Sequence, residues 1–111
     1  MEITLENLRR YSMEGFYNSR NPQVQTLRYM TDEIIKVIDT TKIKVVYPKN
    51  LFIDNKQIEL YLFDDGDHIF KITYENKEVC IFLYLLKDIT RLKNSVNYEN
   101  KSRSLTIEFS N

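Results

Sequence analysis

Two periodicities divide this chain. Up to Thr41 apolar residues recur three and four positions apart; beyond it they alternate with polar ones. The first spacing lines one face of a helix, and the second lines one face of a strand. The pattern therefore predicts a helical part over 1–41 and a strand part over 42–111, within one domain of 111 residues.

Thr4 is suited to cap the first helix, because its hydroxyl can accept a bond from a free amide of the first turn. Ile3 and Leu8 stand at the spacing of a hydrophobic staple across that cap. Leu5, Leu8 and Met13 form a short apolar face, Gly15 offers a stop, and Phe16 to Arg20 reads as a connector. Asn21 caps the second helix, and Pro22 takes the first helical position, where no N–H is needed. Val24, Leu27, Thr31, Ile34 and Ile38 then make a stripe, widened by Met30, Ile35 and Val37 and ended by Asp39 to Thr41. It lasts too few heptads for a coiled coil, so it faces a core.

From Lys42 the chain alternates. Ile43, Val45 and Tyr47 form a strand that Pro48 ends; Leu51 to Ile53 is a second, short one, followed by a turn at Asp54 to Lys56. Ile58, Leu60 and Leu62 alternate with Glu59, Tyr61 and Phe63. Asp64-Asp65-Gly66-Asp67 is a hairpin signal, with Gly66 supplying positive φ. Phe70, Ile72 and Tyr74 follow, then a turn at Glu75 to Glu78 and an apolar run from Val79 to Leu86. Lys87 to Lys93 fits either a helical turn or a bent strand. Asn94 to Ser102 reads as polar loop, and Leu105, Ile107 and Phe109 mark a last strand, paired beside a central strand or with a second molecule.

Short turns leave no room for parallel crossovers. The expected fold class is α+β: two N-terminal helices packed on a mostly antiparallel sheet of about five strands. The predicted core is Leu8, Leu27, Ile34, Ile38, Val45, Leu60, Leu62, Ile72, Ile81, Leu83, Ile107 and Phe109.

The strands carry apolar residues on both sides. Tyr61 and Phe63 alternate with Leu60 and Leu62; Phe82 and Tyr84 alternate with Ile81, Leu83 and Leu85. Helices cover one face. A sheet with one face in water shows polar residues there, so the second face needs its own cover. Curling of the sheet, the first helix, or a second copy of the chain could each supply it.

Composition narrows the functional classes. Two glycines, one histidine, one cysteine and no tryptophan leave few parts for catalysis, and no Gly-rich phosphate loop exists. Sixteen basic and sixteen acidic residues cancel, which argues against a dedicated nucleic-acid binder. The charge is uneven, however. Residues 54–78 lean acidic, whereas Lys87, Arg91, Lys93, Lys101 and Arg103 make 87–103 basic and form a candidate anion-binding set. Asp64, Asp65, Asp67 and His68 are the only cluster with metal-ligand or acid–base potential, but a turn explains every one of them. Cys80 sits in an apolar strand and reads as a small hydrophobe; His68 is its only possible imidazole partner. Glu59, Glu75, Glu78 and Glu108 show no spacing that makes two carboxylates converge. No catalytic residue, metal or cofactor is assigned.

The apolar strand from Val79, the bend Leu86-Lys87-Asp88-Ile89 and the alternating Leu105-Thr106-Ile107-Glu108-Phe109 resemble part of a pleckstrin-homology-like or GRAM-like sheet. That resemblance implies a bend ahead of an alternating strand, and nothing about lipid binding. The whole chain also resembles small uncharacterised proteins of low-GC Gram-positive bacteria, a likeness that implies no activity.

The expected function is a non-enzymatic cytoplasmic interaction module, self-associating through the sheet aromatics Tyr61, Phe63, Phe82 and Tyr84 or through an edge strand. A small ligand-binding cup or hydrolase, with Tyr74, Glu59 or His68 gathered in a pocket, is the alternative. Anionic-surface recognition by the basic set is the third. No segment is long and apolar enough to span a bilayer, and the first residues show no apolar stretch of signal-peptide type, so a cytoplasmic location is the expectation.

Overall fold

The structure, a computed structural model, describes residues 4–16, 22–51, 57–100 and 103–110, with the backbone alone at 14–16, 22, 103 and 105. Helix α1 is Leu5–Phe16 and α2 is Pro22–Val37. The strands are β1 (Ile43–Lys49), β2 (Glu59–Asp64), β3 (His68–Glu75), β4 (Glu78–Leu85), β5 (Ile89–Val96) and β6 (Arg103–Phe109). The fold class is α+β, as the periodicity predicts. Among the described residues there are six strands, against about five expected, and they form two sheets: a four-stranded one in the order β1-β2-β3-β4 and the hairpin β5-β6. All pairings are antiparallel.

Thr4 caps α1, accepting from the Asn7 amide at 3.1 Å. Ile3 and Asn21, the other expected partners at the helix starts, lie outside the described residues, as do 17–20 and the expected strand and turn over 52–56. Gly15 does not stop α1, which continues to Phe16. In α2 the stripe Val24, Leu27, Met30, Thr31 and Ile34 is buried, and Ile38 just past the helix completes it. Ile35 and Val37 do not widen the stripe; they are exposed, because each residue turns about 100° from its neighbour around the helix axis. The buried hydroxyls close on their own helices: Thr31 donates to the Arg28 carbonyl at 3.1 Å and Ser12 to the Arg9 carbonyl at 2.7 Å.

A polar tie joins the helices. Asp32 accepts from Arg9 Nη1 at 2.6 Å and from Arg28 Nε at 3.2 Å. Burial pushes the Asp32 carboxyl up, but the bonds from Arg9 and Arg28 outweigh it and hold the group below its ordinary value.

The strand ladder corrects several expectations. Pro48 does not end β1 but pairs with Leu60, which an edge strand tolerates because the missing N–H faces no ladder. The register of β1 slips between Ile43 and Val45. Val46 thereby takes the place toward the helices, and Val45 turns out to 54% exposure. Gly66 does not supply positive φ. The β2–β3 loop is held by the Asp64 side chain, which accepts from the amides of Gly66 at 2.9 Å and His68 at 3.1 Å. Positive φ appears in the β3–β4 turn, at Asn76 (52°) and Lys77 (64°), with Glu75 opposite Glu78. That is a two-residue turn whose twist matches the strands it joins. Leu86–Asp88 forms a short 3-10 turn, and Ile89 opens β5. β5 runs through Asn94, Ser95 and Val96, expected as loop, because the ladder to Leu105, Ser104 and Arg103 satisfies their backbone whatever their side chains. β6 pairs with β5.

The main core lies between helices and sheet: Leu8, Leu27, Met30, Ile34, Ile38, Ile58, Leu60, Leu62 and Ile72. The other sheet face carries a second cluster, Tyr61 and Ile69 with Tyr47, Phe63 and Tyr84, and onto it pack Ile89 and Ile107 from the β5-β6 hairpin. The chain's own hairpin thus covers part of the second face, around Tyr61, Ile69 and Tyr84, and leaves Phe82 exposed. Of the predicted core, Ile81, Ile107 and Phe109 are half-buried. Leu83, 58% exposed, is not core; it sits on β4, which has no strand beyond it among the described residues.

Candidate functional site

The Asp64–His68 loop is organised by its own bonds. Besides the two amides, Asp64 Oδ2 meets His68 Nδ1 at 2.8 Å. With Asp64 ionised, that ring nitrogen donates. Burial pushes the Asp64 carboxyl up; the bonds from the His68 amide and ring and from the Gly66 amide more than offset this, so the group sits low. Asp65 and Asp67 are exposed. Among the described residues no three of His, Cys, Asp and Glu gather to hold a metal ion. A folded-state pKa below the unfolded one adds stability above the unfolded value, near 4, that is lost as pH falls. Thermal melting of the wild type and of Asp64→Asn is therefore expected to show a gap at pH 7 that closes as the pH falls through and below about 4.

His68 and Cys80 do not meet. His68 pairs with Leu85, and Cys80 pairs with Thr73. Five residues of strand, about 17 Å, separate the two positions, and they lie on opposite faces. The glutamates are dispersed as well. Glu59 accepts from the Tyr61 hydroxyl at 3.1 Å and has Lys49 at 4.0 Å. Burial, then the Glu59 charge, drives the Tyr61 hydroxyl well above the usual phenol range. Glu108 pairs with Arg91 at 3.4 Å, and Glu75 faces Glu78 across the turn.

An open cleft of about 680 Å³ lies between α2 and the β3–β4 turn, lined by Tyr29, Glu33, Lys36, Tyr74 and Lys77 among others. Tyr29 and Tyr74 stack within it at 5.9 Å. Of Tyr74, Glu59 and His68, it holds Tyr74 alone. No sequence signal marks Tyr29, which stands off the buried stripe.

In the basic set, Lys87, Arg91 and Lys93 are exposed. Arg91 carries its own counter-ion in Glu108. Lys101 and the Arg103 side chain lie outside the described residues.

The four sheet aromatics separate. Tyr61 is buried, Phe63 is half-buried within the second cluster, and Tyr84 lies beneath the hairpin with its ring 3.8 Å from that of Phe109. Phe82 stays 44% exposed, stacked on Tyr84 at 6.4 Å.

Phe82 belongs to an open edge. β4 ends the four-stranded sheet, and after Glu78 the run from Val79 through the end of the strand and Leu86 carries no charge. Phe82 and Leu83 project to opposite faces, and both are exposed. The backbone pattern is set by the two-residue turn, which makes Glu75 and Glu78 a hydrogen-bonded pair. Even-numbered residues of β4 then bond inward to β3, as the Leu86 amide does to the Asp67 carbonyl at 2.8 Å. Val79, Ile81, Leu83 and Leu85 turn their N–H and C=O outward, and no described backbone group meets them. The opposite edge is guarded: β1 has Lys44, Pro48, Lys49 and the register slip. The hairpin strands carry Arg91, Lys93, Arg103 and Glu108. Sequence marks the uncharged run, but only topology reveals that it is an edge.

No curated protein and no solved structure matches the chain, so the pleckstrin-homology-like likeness of residues 79–109 remains one of sequence. The match to a family is extensive: residues 7–111, from the first turns of α1 through β6, fit the family described as protein of unknown function (DUF3908), and the chain belongs to it.

Proposed function

We propose that this domain is a non-enzymatic interaction module that associates with a second copy of itself through the edge of β4. The observation that carries this reading is the contrast between the two edges of one sheet. β1 bears the lysines, the proline and the irregularity that keep edges apart, whereas β4 bears none of them over eight residues. An edge of this kind binds by main-chain hydrogen bonds, with side chains adding selectivity.

A second copy fits better than a different chain because the run is uncharged, so like meets like without repulsion. With β1 blocked and the hairpin strands charged, the β4 edge of a second copy is the matching partner, and that pairing closes a two-fold dimer rather than an open fibre. The buried area of one strand pair is at the low end for interfaces, so dissociation on the order of micromolar is expected. The sheet aromatics other than Phe82 contribute to the fold through the hairpin contact.

Sedimentation equilibrium over a concentration series tests this. The wild type is expected to shift from monomer to dimer, and Leu83→Lys, at an exposed position, is expected to stay monomeric with unchanged melting when dilute. A wild type that remains monomeric throughout contradicts the reading.

A further inference from the structure

We infer that the two copies pair antiparallel in one register, with the two-fold axis passing between Phe82 of one chain and Phe82 of the other. This rests on the self-association proposed above and specifies it.

The backbone selects the register. A two-fold perpendicular to the sheet keeps the helix faces of both copies on the same side, so it pairs positions whose numbers sum to an even value. The outward groups of β4 belong to Val79, Ile81, Leu83 and Leu85. Centring the axis on Phe82 sets Val79 against Leu85 of the second copy and Ile81 against its Leu83. All four residues of each chain then exchange both main-chain bonds. Moving the axis to Ile81 leaves Leu85 facing Lys77 in the turn. Moving it to Leu83 leaves Val79 facing Lys87 in the 3-10 turn. Either slip forfeits bonds at both ends, and unmet amides at a closed contact are costly.

The side chains agree with this choice. The two Phe82 rings meet as a non-hydrogen-bonded pair, the closer of the two antiparallel spacings. They join on the face where each already stacks on its own Tyr84. On the helix face the exposed Leu83 gains Ile81 of the second copy, which is half-buried. Phe82 and Leu83, the exposed apolar residues of β4, are thereby covered at the centre of the contact, and the two four-stranded sheets become one of eight.

Cysteine cross-linking tests the register. In a Cys80→Ser background, Phe82→Cys places two thiols directly opposite, with Cα atoms about 4.5 Å apart, within disulfide range. Mild oxidation above the association range is expected to convert most of this variant to a linked dimer. Ile81→Cys and Leu83→Cys are each expected to link poorly alone, while their equimolar mixture gives the mixed disulfide. Efficient linking of Ile81→Cys or Leu83→Cys alone, with little from Phe82→Cys, overturns the register but keeps the edge contact. Dimers in sedimentation with no linking at any of the three overturn the edge contact itself. A monomer at every concentration removes both inferences.

Discussion

Ile72→Ala is expected to lower the unfolding free energy by about 2–5 kcal/mol, read from urea denaturation at a concentration where the protein is monomeric. Ile72 is fully buried in the main core, on β3 between Leu60 of β2 and Ile81 of β4. Removing its branched side chain loses the transfer of those carbons out of water and leaves a cavity that the sheet and α2 fill only in part. Leu83→Ala is the matched control. Leu83 points to the same face only two positions from Ile81, yet it is 58% exposed, so the same truncation is expected to cost no more than about 0.5 kcal/mol in the monomer. Equal losses at the two positions contradict the placement of the core.

Phe109→Ala is expected to cost about 2 kcal/mol and to change what the surface presents. The Phe109 ring lies against Tyr84 at 3.8 Å, and the hairpin that bears it also brings Ile89 and Ile107 onto Tyr61 and Ile69. The end of β6 is tied to β5 and the turn before it: Phe109 pairs with Ile89, and the Ser110 amide and hydroxyl donate to the Asp88 carbonyl at 2.7 and 3.3 Å. Loosening the hairpin exposes the second face of the sheet. Binding of a dye that reports apolar surface is therefore expected to rise in Phe109→Ala under native conditions, while the helical signal is retained. Unchanged dye binding together with unchanged stability contradicts the hairpin as the cover of that face.

The periodicity of α2 and of β2 to β4 carries most of the fold, because a repeat of three and four or of two survives any tertiary context. Leu27, Ile34, Leu60, Leu62 and Ile72 are buried where that repeat puts them. What it misses is irregular or distant. A one-residue slip in β1 exchanges Val45 for Val46, and no residue type near it announces a bulge. Asn94 to Val96 carry polar or isolated apolar side chains, so their strand state depends on the partners Leu105, Ser104 and Arg103 across the hairpin. The doubled apolar character of the sheet does say that a cover is required, but it cannot choose between a hairpin and a second chain. That choice turns on the path taken after Asp88. The same path leaves β4 as an edge: of the four aromatics the sequence singles out, Tyr61, Phe63 and Tyr84 are taken into the second cluster, and Phe82 stays exposed beside Leu83.

Amide hydrogen exchange along β4, followed by NMR as the concentration rises through the association range, tests self-association at this edge most directly. The amides of Cys80, Phe82 and Tyr84, turned inward to β3, are expected to stay protected at every concentration. Those of Val79, Ile81, Leu83 and Leu85 are expected to exchange freely when dilute and to become protected together as dimers form. Protection of these four that does not change with concentration contradicts an open edge that a second copy closes.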